Sequence, residues 1–157
     1  MRYMFNNASV ANPDTGGWVT SKVTSMEIMF NYAAAANPDT STWDTSNVTN
    51  MGYMFQHAGA ATPDTSGWDT SNVTHMQNLF AGAALAAPDT SAWAPANVTD
   101  MPPMFAEAAP ATPATSAWST SSAPNLGRKL RHPAPPHPAP RRRARPPRPA
   151  RPRRARA

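Results

Sequence analysis

Asp39-Thr40-Ser41-Thr42-Trp43-Asp44-Thr45-Ser46-Asn47-Val48-Thr49-Asn50-Met51-Gly52-Tyr53-Met54-Phe55 is the stretch whose reading decides the fold. It recurs with a fixed period. Trp18, Trp43, Trp68, Trp93 and Trp118 stand 25 positions apart, and so do Phe5, Phe30, Phe55, Phe80 and Phe105. Met1, Met26, Met51, Met76 and Met101 keep the same period. A repeat of this length is one unit too small to bury its own apolar face, so successive units must stack on one another. The tryptophan and phenylalanine series are therefore each expected on one side of successive units, about one coil apart.

Within a unit, Asn37-Pro38-Asp39 reads as a turn and Thr40-Ser41-Thr42-Trp43 as a short strand. Asp44 to Asn47 is turn-forming again. Val48, Met51, Phe55 and Ala58, with Met54 beside Phe55, follow the three-and-four spacing of one short helix. Thr49 is its expected N-cap, with Ser46 the alternative one turn earlier. Pro102 and Pro103 fall in the first turn of such a helix, where amide groups are unpaired anyway. The tryptophans are expected in the core, since an alanine-rich chain has few other large apolar groups to bury. Asn47, Asn72 and Asn97 are expected to form a ladder that satisfies turn backbone groups rather than to accept glycans, although Asn-Val-Thr also matches the sequon.

The pattern from Trp43 to Phe55 resembles the 25-residue repeat of BspA-like leucine-rich-repeat bacterial surface proteins, also known as a domain of unknown function of mycoplasma lipoproteins. The resemblance covers residues 1 to about 121, with traces to Leu126. It implies an α/β repeat: a leucine-rich-repeat-like solenoid of 25-residue units, each a short strand, a turn and a short helix. It also implies a noncatalytic module at the cell surface or secreted, mediating adhesion by binding a protein or glycan on a host or neighbouring cell.

Charge divides the chain. Residues 1–121 carry Arg2 and Lys22 against nine acids, a net of −7, whereas residues 122–157 carry twelve Arg or Lys and no acid. We read residues 1–126 as about five repeat units and residues 127–157 as a disordered Pro/Arg/Ala-rich basic tail. That tail gives a second functional reading, nonspecific contact with a polyanion such as nucleic acid or an anionic membrane. A third is a truncated remnant without function. The chain has no cysteine, which excludes disulfides and thiolate metal sites. Met1-Arg2-Tyr3-Met4-Phe5 lacks the apolar region of a signal peptide and begins inside a repeat, so a fragment or a start codon assigned downstream of the true one is expected, with marginal stability and end-to-end self-association of the array.

No catalytic constellation, cofactor motif or metal-ligand spacing is present, so an enzyme is not expected. Asp14, Asp39, Asp64 and Asp89 recur in one phase. Calcium would relieve their mutual repulsion, but a dense multi-carboxylate loop is missing and each Asp is read as capping its own turn. Positions that vary between units are those a ligand selects. Tyr3, Ile28 and Tyr53 share one phase, with Tyr32 and His57 beside them, and these five form the candidate partner-binding face.

Overall fold

The computed structural model describes residues 1–94, 96–98 and 104–108. We number the units as coils: coil 1, 1–25; coil 2, 26–50; coil 3, 51–75; coil 4, 76–100; coil 5 from 101. Backbone hydrogen bonds explain the architecture. In coil 2 the N–H groups of Met26, Ile28, Phe30 and Tyr32 donate to the carbonyls of Asn50, Gly52, Met54 and Gln56, one coil further on, at 2.9, 3.0, 2.8 and 2.8 Å. The alternate N–H groups stay within the coil: Met29, Asn31 and Ala33 donate to Met26, Ile28 and Phe30 at 3.3, 3.4 and 3.1 Å. Coil 3 repeats the scheme, with Met51, Tyr53, Phe55 and His57 donating to His75, Gln77, Leu79 and Ala81.

This accounting leaves no room for the expected secondary structure. The α/β solenoid of short strand and short helix is not what the chain forms: among the described residues there is no helix, and extended pairing is confined to the isolated parallel bridges Ser25↔Asn50 and Asn50↔His75. The segment from Val48 to Ala58 is a run of overlapping β-turns. A helix needs every N–H to reach back four residues with right-handed backbone, but here every second N–H leaves for the next coil. Ile28 and Tyr32 also sit at φ +60° and +55°, and Tyr53 and His57 at +60° and +56°. Positive φ at the third residue of the turns 26–29 and 30–33 marks type II turns. Thr49 caps nothing: its N–H and hydroxyl both donate to Thr24 O, at 2.9 and 3.1 Å.

The expected strand Thr40–Trp43 is likewise a turn, closed by Trp43 N–H on Thr40 O at 3.1 Å. Asp39-Thr40-Ser41-Thr42-Trp43 and Asp44-Thr45-Ser46-Asn47-Val48 are two pentads of one design. In each, the Asp Oδ1 accepts the Ser N–H two residues on, at 3.0 Å in both. The buried Thr hydroxyl donates across the coil gap, Thr40 to Asp64 O at 2.6 Å and Thr45 to Asp69 O at 3.0 Å. The pentad ends on an inward side chain, Trp43 or Val48. Asn37-Pro38-Asp39 closes no backbone turn; the Asn37 side chain instead accepts the Thr62 N–H at 2.8 Å. Prolines 102 and 103 and the basic tail lie outside the described residues.

The apolar spacing marked the core, whatever the backbone that carries it. Val48, Met51, Met54, Phe55 and Ala58 are all fully buried, and so are their equivalents Val73, Met76, Leu79, Phe80 and Ala83. Phe5, Phe30, Phe55, Phe80 and Phe105 stack in one column with ring centroids 5.3, 5.5, 5.5 and 5.7 Å apart and planes within 6° of parallel. A tryptophan column stands beside it, with Trp18 on Trp43 at 6.1 Å and Trp68 on Trp93 at 6.0 Å. Trp43, Trp68 and Trp93 are buried, as core rings rather than an exposed stripe. Asn47, Asn72 and Asn97 each donate Nδ2 to a serine carbonyl of the preceding coil, at 2.9, 2.8 and 2.6 Å, in exposed turns.

Two measurements check this arrangement. Far-UV circular dichroism of the folded chain is expected to lack the double minimum of a helix. Thr40→Val, which keeps shape but removes the donor to Asp64 O, is expected to lower stability by about 1–3 kcal/mol in chemical denaturation, the usual result of orphaning a screened carbonyl.

Candidate functional site: a face of left-handed residues

All five residues of the candidate face occupy backbone that favours glycine. Tyr3, Ile28 and Tyr53 have φ +60°, and Tyr32 and His57 have +55° and +56°. The same two phases hold Asn78 at +53°, Asn7 at +59°, Gly82 at +68° and Glu107 at +59°. The left-handed region costs an L-residue roughly 1–2 kcal/mol, least for Asn, and a β-branched residue such as Ile28 is a true outlier there. The type II turn fixes the backbone, and the coil-to-coil hydrogen bonds of these residues hold it.

Positive φ also turns the side chain away from the core. Tyr3 and Tyr32 are each 49% exposed, and Ile28, Tyr53 and His57 are half-buried. The structure joins some of these and separates others. Tyr32 and His57 form one column, ring centroids 4.5 Å apart and tilted by 30°. His57 continues that column by lying over Gly82, where a Cβ would collide with the His57 Nδ1. One phase over, Gln77 folds across Gly52, where a Cβ would lie 2.8 Å from its Nε2. Tyr3 belongs to a separate group with Arg2, whose guanidinium stands 5.4 Å from the ring centroid and pairs with Glu27.

Gln77 and Asn78 also vary between units and are expected to face solvent, though the five-residue face leaves them out. Their signal was present, because Asn78 stands in the phase of Tyr3, Ile28 and Tyr53 and Gln77 directly precedes it.

The aspartates lie elsewhere, in the pentad turns. The Ser41 hydroxyl, and then its N–H, hold the Asp39 carboxyl below its ordinary 3.8. Ser46, Ser66, Ser71 and Ser91 act in the same way on Asp44, Asp64, Asp69 and Asp89. Asp39 and Asp89 oppose the effect at Asp64 through like-charge repulsion along the row. Among the described residues, no three His, Cys, Asp or Glu side chains are grouped to hold a metal ion.

The repeat geometry is the setting for one comparison. The profile of the family described as Mycoplasma protein of unknown function, DUF285, matches residues 1–118. The chain belongs to this family. No curated protein and no solved structure matches the DUF285 chain. The match spans the repeats and stops at the last tryptophan, Trp118, so the basic segment lies beyond it.

Two outcomes test the electrostatics and strain. Because the aspartate pKa values are depressed on folding, their stabilisation is present above the ordinary 3.8 and lost as pH falls through the lower folded values. The thermal midpoint should therefore fall between about pH 5 and about pH 3, and the double variant Ser41→Ala/Ser66→Ala should flatten that slope. Ile28→Asn, which suits positive φ, is expected to leave stability unchanged or raise it by about 1 kcal/mol in urea denaturation, despite removing an apolar side chain.

Proposed function

We propose that this chain is a noncatalytic repeat module of a bacterial surface protein, and that it mediates adhesion by binding a protein or glycan partner. The observation that carries the reading is the retention of Tyr3, Ile28, Tyr32, Tyr53 and His57 at φ between +55° and +60°, where Gly or Asn is less costly. Stacking does not require these side chains, since Gly82 and Asn78 fill the same phases in coil 4. Strained backbone is commonly found at functional sites. Tyrosine suits such a role because it offers area and a polar tip at low entropy cost. Surface location and adhesion follow from the repeat family resemblance rather than from any one residue.

The test is a comparison of host-cell binding by labelled protein. Tyr32→Ala/Tyr53→Ala should reduce binding by about tenfold or more, the loss of roughly 1.4 kcal/mol. Deletion of residues 127–157 should leave it intact. Binding that survives the tyrosine changes and vanishes with the tail assigns the activity to the polyanion-binding segment and refutes the face.

A further inference from the structure

The chemistry of the face narrows its partner. Tyr32, Tyr53, His57, Gln77 and Asn78 lie on three successive coils, and their side-chain polar groups have no hydrogen bond to another described residue. The column from Tyr32 through His57 to Gly82 runs along the stack. Tyr53 is tied to coil 4 by its N–H on Gln77 O at 2.8 Å, and the Gln77 side chain lies back across Gly52 beside it. The two groups together span coils 2 to 4.

Three partner classes fit it poorly. An extended peptide joining by strand addition needs free backbone groups along an edge. The N–H groups of Ile28, Phe30, Tyr32, Tyr53, Phe55 and His57 all donate to the next coil. An anionic ligand needs Arg or Lys, but Arg2 is paired with Glu27 and Lys22 stands in the other half of its coil, beside the pentad turns. A ligand that stacks on aromatic faces finds the Tyr32 and His57 rings turned toward each other.

What the patch offers is a row of donors and acceptors with no Arg, Lys, Asp or Glu among them: two phenols, one imidazole and two amides, on a backbone held by coil-to-coil bonds. Such groups pair with hydroxyls, and a rigid site loses little entropy on binding. The backbone positions recur in each coil, so a ligand with its own regular repeat meets Tyr32 and His57 in one phase and Tyr53 and Asn78 in the other. We propose that Tyr32, Tyr53, His57, Gln77 and Asn78 bind a neutral linear glycan lying along the stack axis. This rests on the partner-binding reading above and names the ligand of that face.

Titration calorimetry of the full chain with neutral linear glucan, galactan and mannan hexasaccharides tests it. One neutral series should bind, with affinity rising from disaccharide to hexasaccharide. Tyr32→Phe and Asn78→Gly, both suited to their backbone, should each weaken that binding by about tenfold with an unchanged thermal midpoint. Binding of none of the three neutral series, or equal binding by both variants, overturns the proposal. In parallel, host-cell binding is measured before and after glycosidase treatment. Cell binding that needs the tyrosines but survives glycan removal refutes the glycan and leaves a protein partner for the face. Loss of the tyrosine dependence itself refutes the face.

Discussion

Everything in this fold depends on how the backbone N–H groups of the Met-to-Ala segment are shared. Half close turns within a coil, and the alternate half reach the carbonyls of the next coil. Neither half suffices: turns alone do not hold a chain in register, and coil-to-coil bonds alone leave the intervening amides unpaired. The division satisfies both sets, which buried backbone requires, and it brings the like phases of neighbouring coils together. The Met and Phe columns are consequences of that register. The stacked rings and methionines then exclude water from the bonds that positioned them.

The sequence displayed the repeat and the core because periodicity reports which residues point inward. It did not display the backbone. Val48, Met51, Phe55 and Ala58 have spacings shared by a helix and by a chain of overlapping β-turns, and both bury the same residues. The deciding information was the left-handed conformation at Ile28, Tyr32, Tyr53 and His57, residue types that do not announce it. Clues stood one unit away: Asn7, Asn78 and Gly82 occupy the same two phases and are the residues that tolerate positive φ. The doubling of Asp-Thr-Ser at 39–41 and 44–46 was a second clue, since a five-residue echo is foreign to both strand and helix.

The five positions of the candidate face share one backbone feature. Positions that differ between units cannot be serving the stack, and those positions proved to be the left-handed ones. Sequence variation and backbone strain coincide on Tyr32, Tyr53 and His57, and Tyr32 is exposed as well. What could not be read was their mutual packing. The fall of His57 onto Gly82 and of Gln77 onto Gly52 needs the coil register in three dimensions. It is this packing that gathers a scatter of side chains into two neighbouring groups.

The bonds between coils along the Met-to-Ala segment all run one way, from an N–H to a carbonyl about one unit later in the chain. A finished coil therefore presents along this segment a row of unfilled donors, and the next coil supplies acceptors. Thr15, Thr40 and Thr65 add hydroxyl donors of the same sense, each to a carbonyl 24 residues on. Synthesis proceeds in that same direction, at roughly 5–20 residues per second, so a new coil emerges every few seconds or so. Each can settle on a surface already waiting for it, with no partner more distant than its neighbour. The molecule is thus suited to grow as a crystal does, by addition at one face, with the ribosome supplying the layers in order.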